Sequence, residues 1–242
     1  MKLKLFFLVI IVFSVFKASS QENEVHNYYN NMLWGGYYNT IELNPKWAIA
    51  TDAQIRTNNW QESLSQGLIR SGLNYKFNDK INATAGFAYF NYFITNSVSR
   101  NEYRPWQEVA INDKFWKLKI THRYRLEERF NQKTKNSSPI NDYTFNYRFR
   151  YKLDFKIPFK KESEKGSNVY ATVGNELMVN IGDKVSLNFF DQNRSYIGIH
   201  YELNNKLGLQ IQYMRIWQQL AGGTSMNNIN VLRFNIYHTI TL

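Results

Sequence analysis

Charged side chains, mostly arginine, recur at every second position in two stretches of this sequence. In the first, Arg123, Arg125, Glu127 and Arg129 alternate with Tyr124, Leu126, Glu128 and Phe130. In the second, Arg148, Arg150, Lys152 and Asp154 alternate with Phe149, Tyr151, Leu153 and Phe155. A period of two puts these charges on one face of an extended strand and leaves Glu128 on the other. Charges collected on one face can do two things. They can pair across neighbouring strands as Arg–carboxylate ladders, or an excess of one sign can select solutes of the other. Extending the same parity along the chain gives an inward-facing set of Asp52, Arg56, Arg70, Arg104, Glu108, Arg123, Arg125, Glu127, Arg129, Arg148, Arg150, Asp154, Glu176, Arg194, Glu202 and Arg233, ten arginines against six carboxylates.

The elements that position these charges are long. Tyr143–Ile157 alternates strictly over its whole length, and Trp116–Arg129 repeats the pattern. Shorter or weaker alternation covers Leu33–Leu43, Trp47–Arg56, Gly67–Phe77, Ile81–Phe90, Tyr103–Ile111, Val169–Val179, Ser195–Leu203, Leu207–Trp217 and Val231–Leu242. The best segments exceed the length typical of soluble sandwich strands and reach the 9–11 residues that a tilted transmembrane strand needs. We therefore expect an all-β, antiparallel, up-and-down transmembrane β-barrel. Eleven segments can be counted, and closed bacterial barrels usually have an even number. The expectation is accordingly twelve strands, with ten possible; the residues before Asn31 and Val185–Phe190 are the candidates for the missing one.

Turn signals fit this reading. Asn44-Pro45-Lys46, Asn78-Asp79-Lys80, Asn112-Asp113-Lys114 and Asn204-Asn205-Lys206 read as short turns at one rim. Asn59–Ser63, Asn96–Asn101, Asn131–Asn141 and Ala221–Asn228 read as longer loops at the other. Trp47 and Trp116 follow their turns and Trp217 lies near the opposite end of its strand, the placement of aromatic girdles at a membrane interface.

Composition agrees. Aromatics make up 17% of the chain, yet mean hydropathy is −0.51, which a barrel with a polar lumen accommodates and a helical membrane protein does not. Residues 1–20 read as a signal peptide, with Lys2 and Lys4 before an apolar run and Ala18-Ser19-Ser20 at its end. That leaves 21–242 as one barrel domain, placed in a cell outer membrane. Removing the leader lowers the formal charge from +11 by three to +8. For an exported chain, a basic balance points to lipopolysaccharide or anionic solutes and not to nucleic acid. With no cysteine, no disulfide staples the fold. The terminal strand suits insertion by the barrel assembly machinery, although Leu242 stands where an aromatic is usual. Nothing in the sequence fixes an oligomeric state.

Catalysis finds little support. A barrel-embedded lipid hydrolase needs a serine with a histidine base. His122 and His238 fall on the apolar face without a matching serine, and His200 points inward. No metal-ligand spacing, phosphate loop or cofactor motif is present, so no catalytic residue, metal or cofactor is expected.

Arg100–Gln107 (RNEYRPWQ), His122–Phe130 (HRYRLEERF), Arg148–Tyr151 (RFRY), Asn175-Glu176 and Asp191–Arg194 (DQNR) together resemble the Arg/Glu/Trp strand motifs of an uncharacterised family of outer-membrane barrels, a domain of unknown function common in Bacteroidetes. The resemblance implies a single barrel with no assigned activity. Its motifs share Arg104, Arg123, Arg125, Glu127, Arg148, Arg150, Glu176 and Arg194 with the inward set, and Glu108 stands beside them. We expect one ion-pair network across five neighbouring strands, structural or lining a narrow pore, with an anion-preferring channel as the alternative.

Overall fold

The computed structural model describes residues 26–94, 96–136, 138–159, 167–182, 185 and 187–242. The leader expected over residues 1–20 lies outside them. Eleven strands are present among the described residues: β1 His26–Glu42, β2 Trp47–Asn58, β3 Ser63–Lys76, β4 Ile81–Ile94, β5 Ser97–Phe115, β6 Leu118–Lys135, β7 Ser138–Pro158, β8 Asn168–Ile181, β9 Phe190–Glu202, β10 Leu207–Gln219 and β11 Ser225–Thr241. Each pairs antiparallel with the next, and β1 pairs with β11 to close a barrel.

The strand count corrects the expected twelve. Each of the eleven alternating segments is one strand, and neither candidate adds another: the residues before Asn31 begin β1, and Phe190 begins β9. With an odd number of up-and-down strands the first and last run the same way, so the closing ladder must be parallel. It is, and β1 is paired along its whole 17-residue length. Side chains reinforce this seam. Asn230 Nδ2 donates to Asn31 Oδ1 at 2.9 Å, Asn228 Nδ2 donates to Asn27 Oδ1 at 3.0 Å, and Tyr38 stacks on Tyr237 at 4.9 Å between ring centroids.

Three of the four Asn-x-Lys turns share one geometry. Asn44, Asn78 and Asn204 each accept, through Oδ1, the backbone N–H groups two and three residues on, at 2.8–2.9 Å. The lysine carbonyl then accepts from the next strand over: Lys46 from Lys76, Lys80 from Asn112, Lys206 from Thr239. In the second of these turns, Lys76 stands 2.7 Å from Asp79 and holds its carboxyl below the ordinary range. Replacing Asn78 by alanine should cost about 1 kcal/mol, the worth of the lost local acceptor, read as a lower urea midpoint.

The fourth triplet is not a turn. The Asn112 N–H is taken by Lys80, β5 runs on to Phe115, and the chain reverses at Trp116-Lys117, with Trp116 at φ 55°. The expected loop Asn131–Asn141 is likewise the tip of a long hairpin. β6 continues to Lys135, β7 starts at Ser138, and Lys133 meets Asp142 across it at 2.5 Å.

Alternation runs apolar outward and polar inward. Ile197, Ile199, Leu209, Ile211 and Phe234 are 41–58% exposed, whereas Glu102, Glu127, Arg148 and Glu176 are no more than 4% exposed. This inverts a water-soluble fold and fits an apolar surrounding. The interior also holds two apolar clusters. One gathers Met32, Trp34, Tyr196, Met214, Ile216, Ile229 and Val231, and the other Leu68, Ala88, Phe90 and Trp106. The second depends on glycine: Gly72 and Gly86 oppose each other on β3 and β4, and Trp106 on β5 lies over them.

Candidate functional site: a lumen with two unlike walls

The wall built by β5–β9 is charge-balanced. Period-two placement brings Glu127 on β6 opposite Arg148 on β7, and Glu176 on β8 opposite Arg194 on β9. Arg148 donates to Glu127 Oε2 from Nε at 2.9 Å and Nη2 at 2.5 Å, while Arg150 Nη1 reaches Oε1 at 2.6 Å. Arg150 continues to Glu176 through Nε at 3.0 Å and Nη2 at 2.6 Å, and Arg123 meets the same oxygen at 2.5 Å. Arg125 forks onto Glu108 at 2.6 and 2.7 Å, Arg123 Nε lies 3.3 Å from that carboxylate, and Arg125 Nη1 lies 3.9 Å from Glu127. These contacts close a ring of alternating charge. Arg104 joins it to Glu102, at 3.6 Å from Glu127 and 2.6 Å from Glu102, and Arg148 joins it to Asp191 at 2.9 Å. Each carboxylate accepts charge-assisted bonds from more than one donor, the condition under which buried ion pairs hold together.

The opposite wall is different. Arg56 on β2 donates to Gln66 Oε1 at 2.7 Å and Gln54 Oε1 at 3.1 Å. Arg194 donates to Gln192 at 2.8 Å, and its nearest carboxylate oxygen, on Glu176, is 3.8 Å away. Arg233 on β11 donates to Asn235 at 3.0 Å, to Gln212 at 3.4 Å and to the Tyr38 hydroxyl. Amide oxygens fix these guanidiniums without cancelling their charge. Trp34 carries two of them, with Arg56 at 3.9 Å and Arg194 at 5.3 Å from its ring, while Arg233 stands in register with Trp34 and lies 5.6 Å from the Tyr38 ring centre. Among the described residues, Arg56 and Arg233 have no ion pair. All three line a cavity of about 1080 Å³.

A protein-family model, described as Protein of unknown function (DUF2490), matches residues 31–227. The chain belongs to the DUF2490 family. The motifs that carried the family resemblance all lie inside the matched span. A solved NanC porin structure in a rhombohedral crystal form is similar in fold to this DUF2490 chain, with a TM-score of 0.51 and 14% identity over 86% of this chain and 98% of that one. No curated protein matches the chain.

In this DUF2490 barrel, Arg104, Glu108, Arg123, Arg125, Glu127, Arg148, Arg150 and Glu176 meet in the balanced wall, and Arg194 stands at its border with the arginine wall. Glu102 and Asp191 were absent from the inward set read from sequence, yet both are buried ligands of that network. Glu102 accepts from Arg104, Arg129 and the Tyr92 hydroxyl, each at 2.6 Å. Its parity with Arg104 and Glu108 was the available signal, hidden by starting that strand at Tyr103. Trp34 and Trp106 are buried inside the barrel, and period-two parity with charged positions on their strands is the one sequence signal for them, since neither is itself charged. Trp106 carries Arg125 at 4.3 Å from its ring. Trp47 opens β2 and Trp116 occupies the β5–β6 turn at the same rim, while the outward Trp217 lies near the other end of its strand.

His122 and His238 stand outward, each with Nδ1 2.8 Å from a tyrosine hydroxyl, of Tyr151 and Tyr37 respectively. His200 is inward, 3.5 Å from Glu202. No group of three or more His, Cys, Asp or Glu among the described residues is arranged to hold a metal ion.

Proposed function

We propose that this barrel spans the outer membrane and passes small solutes through a narrow, anion-preferring lumen. The observation that carries the reading is one cavity, which touches Lys80 and Asp113 at the short-turn rim and Arg100 and Gln218 toward the other, and whose lining includes Arg56 and Arg233, held by neutral acceptors and without an ion pair among the described residues. A charged constriction of one sign concentrates counter-ions along the path. The balanced wall contributes stiffness and little net field, because its guanidiniums and carboxylates neutralise one another.

The outward apolar face, its aromatics near both rims and the leader-like first twenty residues support the placement. Lipopolysaccharide and other outer-membrane lipid are the surroundings this exterior suits, and the barrel assembly machinery is the route of insertion. Catalysis is no part of this reading; His122 and His238 each place Nδ1 beside a tyrosine hydroxyl on the outward face.

The test is single-channel recording of the refolded mature protein in a planar bilayer. Replacing chloride by a bulky organic anion should reduce the conductance steps several-fold, and replacing potassium by a bulky organic cation should change them little. The reverse pattern, or a folded barrel that never conducts, refutes the reading.

A further inference from the structure

We infer that Arg56, Arg194 and Arg233 form an oxyanion site in the lumen, selective for a phosphate-type dianion, either free phosphate or a phosphoryl group carried by a larger solute. The inference deepens the channel reading and rests on solute reaching this part of the lumen.

The argument begins with charge. Two guanidiniums, of Arg56 on β2 and Arg194 on β9, lie over the Trp34 indole, and Arg233 on β11 stands in register with Trp34, over the neighbouring Tyr38 ring; among the described residues only Arg194 has a carboxylate within ion-pair range, at 3.8 Å. Every other acceptor holding them is neutral: Gln54 and Gln66 for Arg56, Gln192 for Arg194, Asn235, Gln212 and Tyr38 for Arg233. Like charges are kept together only where something offsets their repulsion, and here the fold spends amides on orienting them, not carboxylates on cancelling them.

A second, independent observation is the surplus of donors. Arg56 Nε and Trp34 Nε1 are both buried with no hydrogen-bond partner among the described residues; Trp106 Nε1, Arg123 Nε and Arg125 Nη1 in the balanced wall also lack one, but there the two arginine nitrogens keep a carboxylate oxygen at 3.3 and 3.9 Å, and Arg56 has none in ion-pair range. Donors in excess call for a ligand that only accepts. A deprotonated oxyanion is such a ligand.

Shape narrows the class. A carboxylate offers two oxygens in one plane, and two guanidiniums already fill it at Glu127 and at Glu176. Three forks from three strands match the several oxygens of a tetrahedral group, and two negative charges offset more of the arginine charge than one. The glutamine amides beside the arginines can turn their N–H groups toward a bound oxygen, so the surroundings adapt without losing the cations.

Two measurements test the site. In a planar bilayer carrying potassium chloride, inorganic phosphate at millimolar concentration should block chloride current saturably, and acetate at the same concentration should not. Calorimetric titration of the refolded protein in detergent with inorganic phosphate should give saturable heat whether or not the barrel conducts. Glycerol 3-phosphate distinguishes the sources: equal potency assigns the site to carried phosphoryl groups, and a much weaker response assigns it to free phosphate. Arg233→Gln should weaken phosphate about tenfold or more, as loss of a charge-assisted bond does, and the Arg56→Gln/Arg194→Gln/Arg233→Gln variant should abolish both signals. If the triple variant does not fold, the single one carries the test. Anion-preferring current with neither block nor heat overturns the site and leaves the channel reading standing, whereas heat without current does the opposite. Equal block by acetate and phosphate overturns the selectivity and with it the inference.

Discussion

Replacing Glu127 by glutamine should be among the most damaging single changes in this barrel, lowering stability by about 3–5 kcal/mol, the range for breaking a buried ion pair by removing one partner. Glu127 is 3% exposed and is the point where the balanced wall crosses itself. Arg148 and Arg150 donate to it directly, and Arg104 and Arg125 lie 3.6 and 3.9 Å away. A neutral amide keeps the shape and removes the one charge that all four share, so the guanidiniums then repel across β5, β6 and β7. Arg125→Leu should cost less, because Glu108 keeps Arg123 at 3.3 Å. The measurement is the urea midpoint of each refolded barrel by tryptophan fluorescence, with the exposed Glu62→Gln as a control expected to change stability by less than about 0.5 kcal/mol. A Glu127→Gln midpoint equal to wild type would show that the ring contributes nothing net.

Gly86→Val should block assembly outright. A Cβ at Gly86 would press on the Ser71 carbonyl oxygen, lie 2.6 Å from Gly72 Cα and lie 2.7 Å from Trp106 Cζ2. Two of those neighbours are backbone and cannot rotate away. Either the β3–β4 ladder opens or Trp106 leaves its place, and Trp106 supports Arg125. Overpacking by a few methyl groups costs about 1–3 kcal/mol where side chains can yield, and here the main chain would have to. The yield of heat-modifiable, folded barrel on refolding checks this. Gly222→Ala, which meets nothing within 4 Å, should refold as wild type does. Normal yield from Gly86→Val would mean that β3 and β4 are not packed as described.

Much of this architecture was legible in the residues because one physical rule, alternation, acts locally. Tyr143–Ile157 announces its two faces without knowledge of any neighbour, and each of the eleven alternating segments is a strand. The count went wrong only where a general preference for even numbers outweighed them. Turns were legible when the asparagine could close them on its own backbone, as at Asn44, Asn78 and Asn204. Asn112-Asp113-Lys114 has the same letters, but its N–H is claimed by Lys80 from the neighbouring hairpin, an interaction between hairpins that no local pattern encodes.

The balanced wall was partly legible for the same reason: β5 to β9 are consecutive, so parity and chain order suffice to suggest which charges meet. The arginine wall was not. Arg56, Arg194 and Arg233 belong to β2, β9 and β11, and they become neighbours only when β11 closes on β1 and sets Arg233 opposite Trp34. Nor could sequence tell that Arg70 would find Asp52 at 2.6 Å while Arg56, on the strand of Asp52, would find glutamines.

The account stands most directly on the sign of the lumen. Under a potassium chloride gradient across a planar bilayer, the reversal potential of the refolded barrel should lie on the chloride side, and the Arg56→Gln/Arg194→Gln/Arg233→Gln variant should move it toward zero with the barrel still folded. A wild-type potential on the potassium side, or one that the variant leaves where it was, would contradict the claim that these three arginines set what the lumen admits.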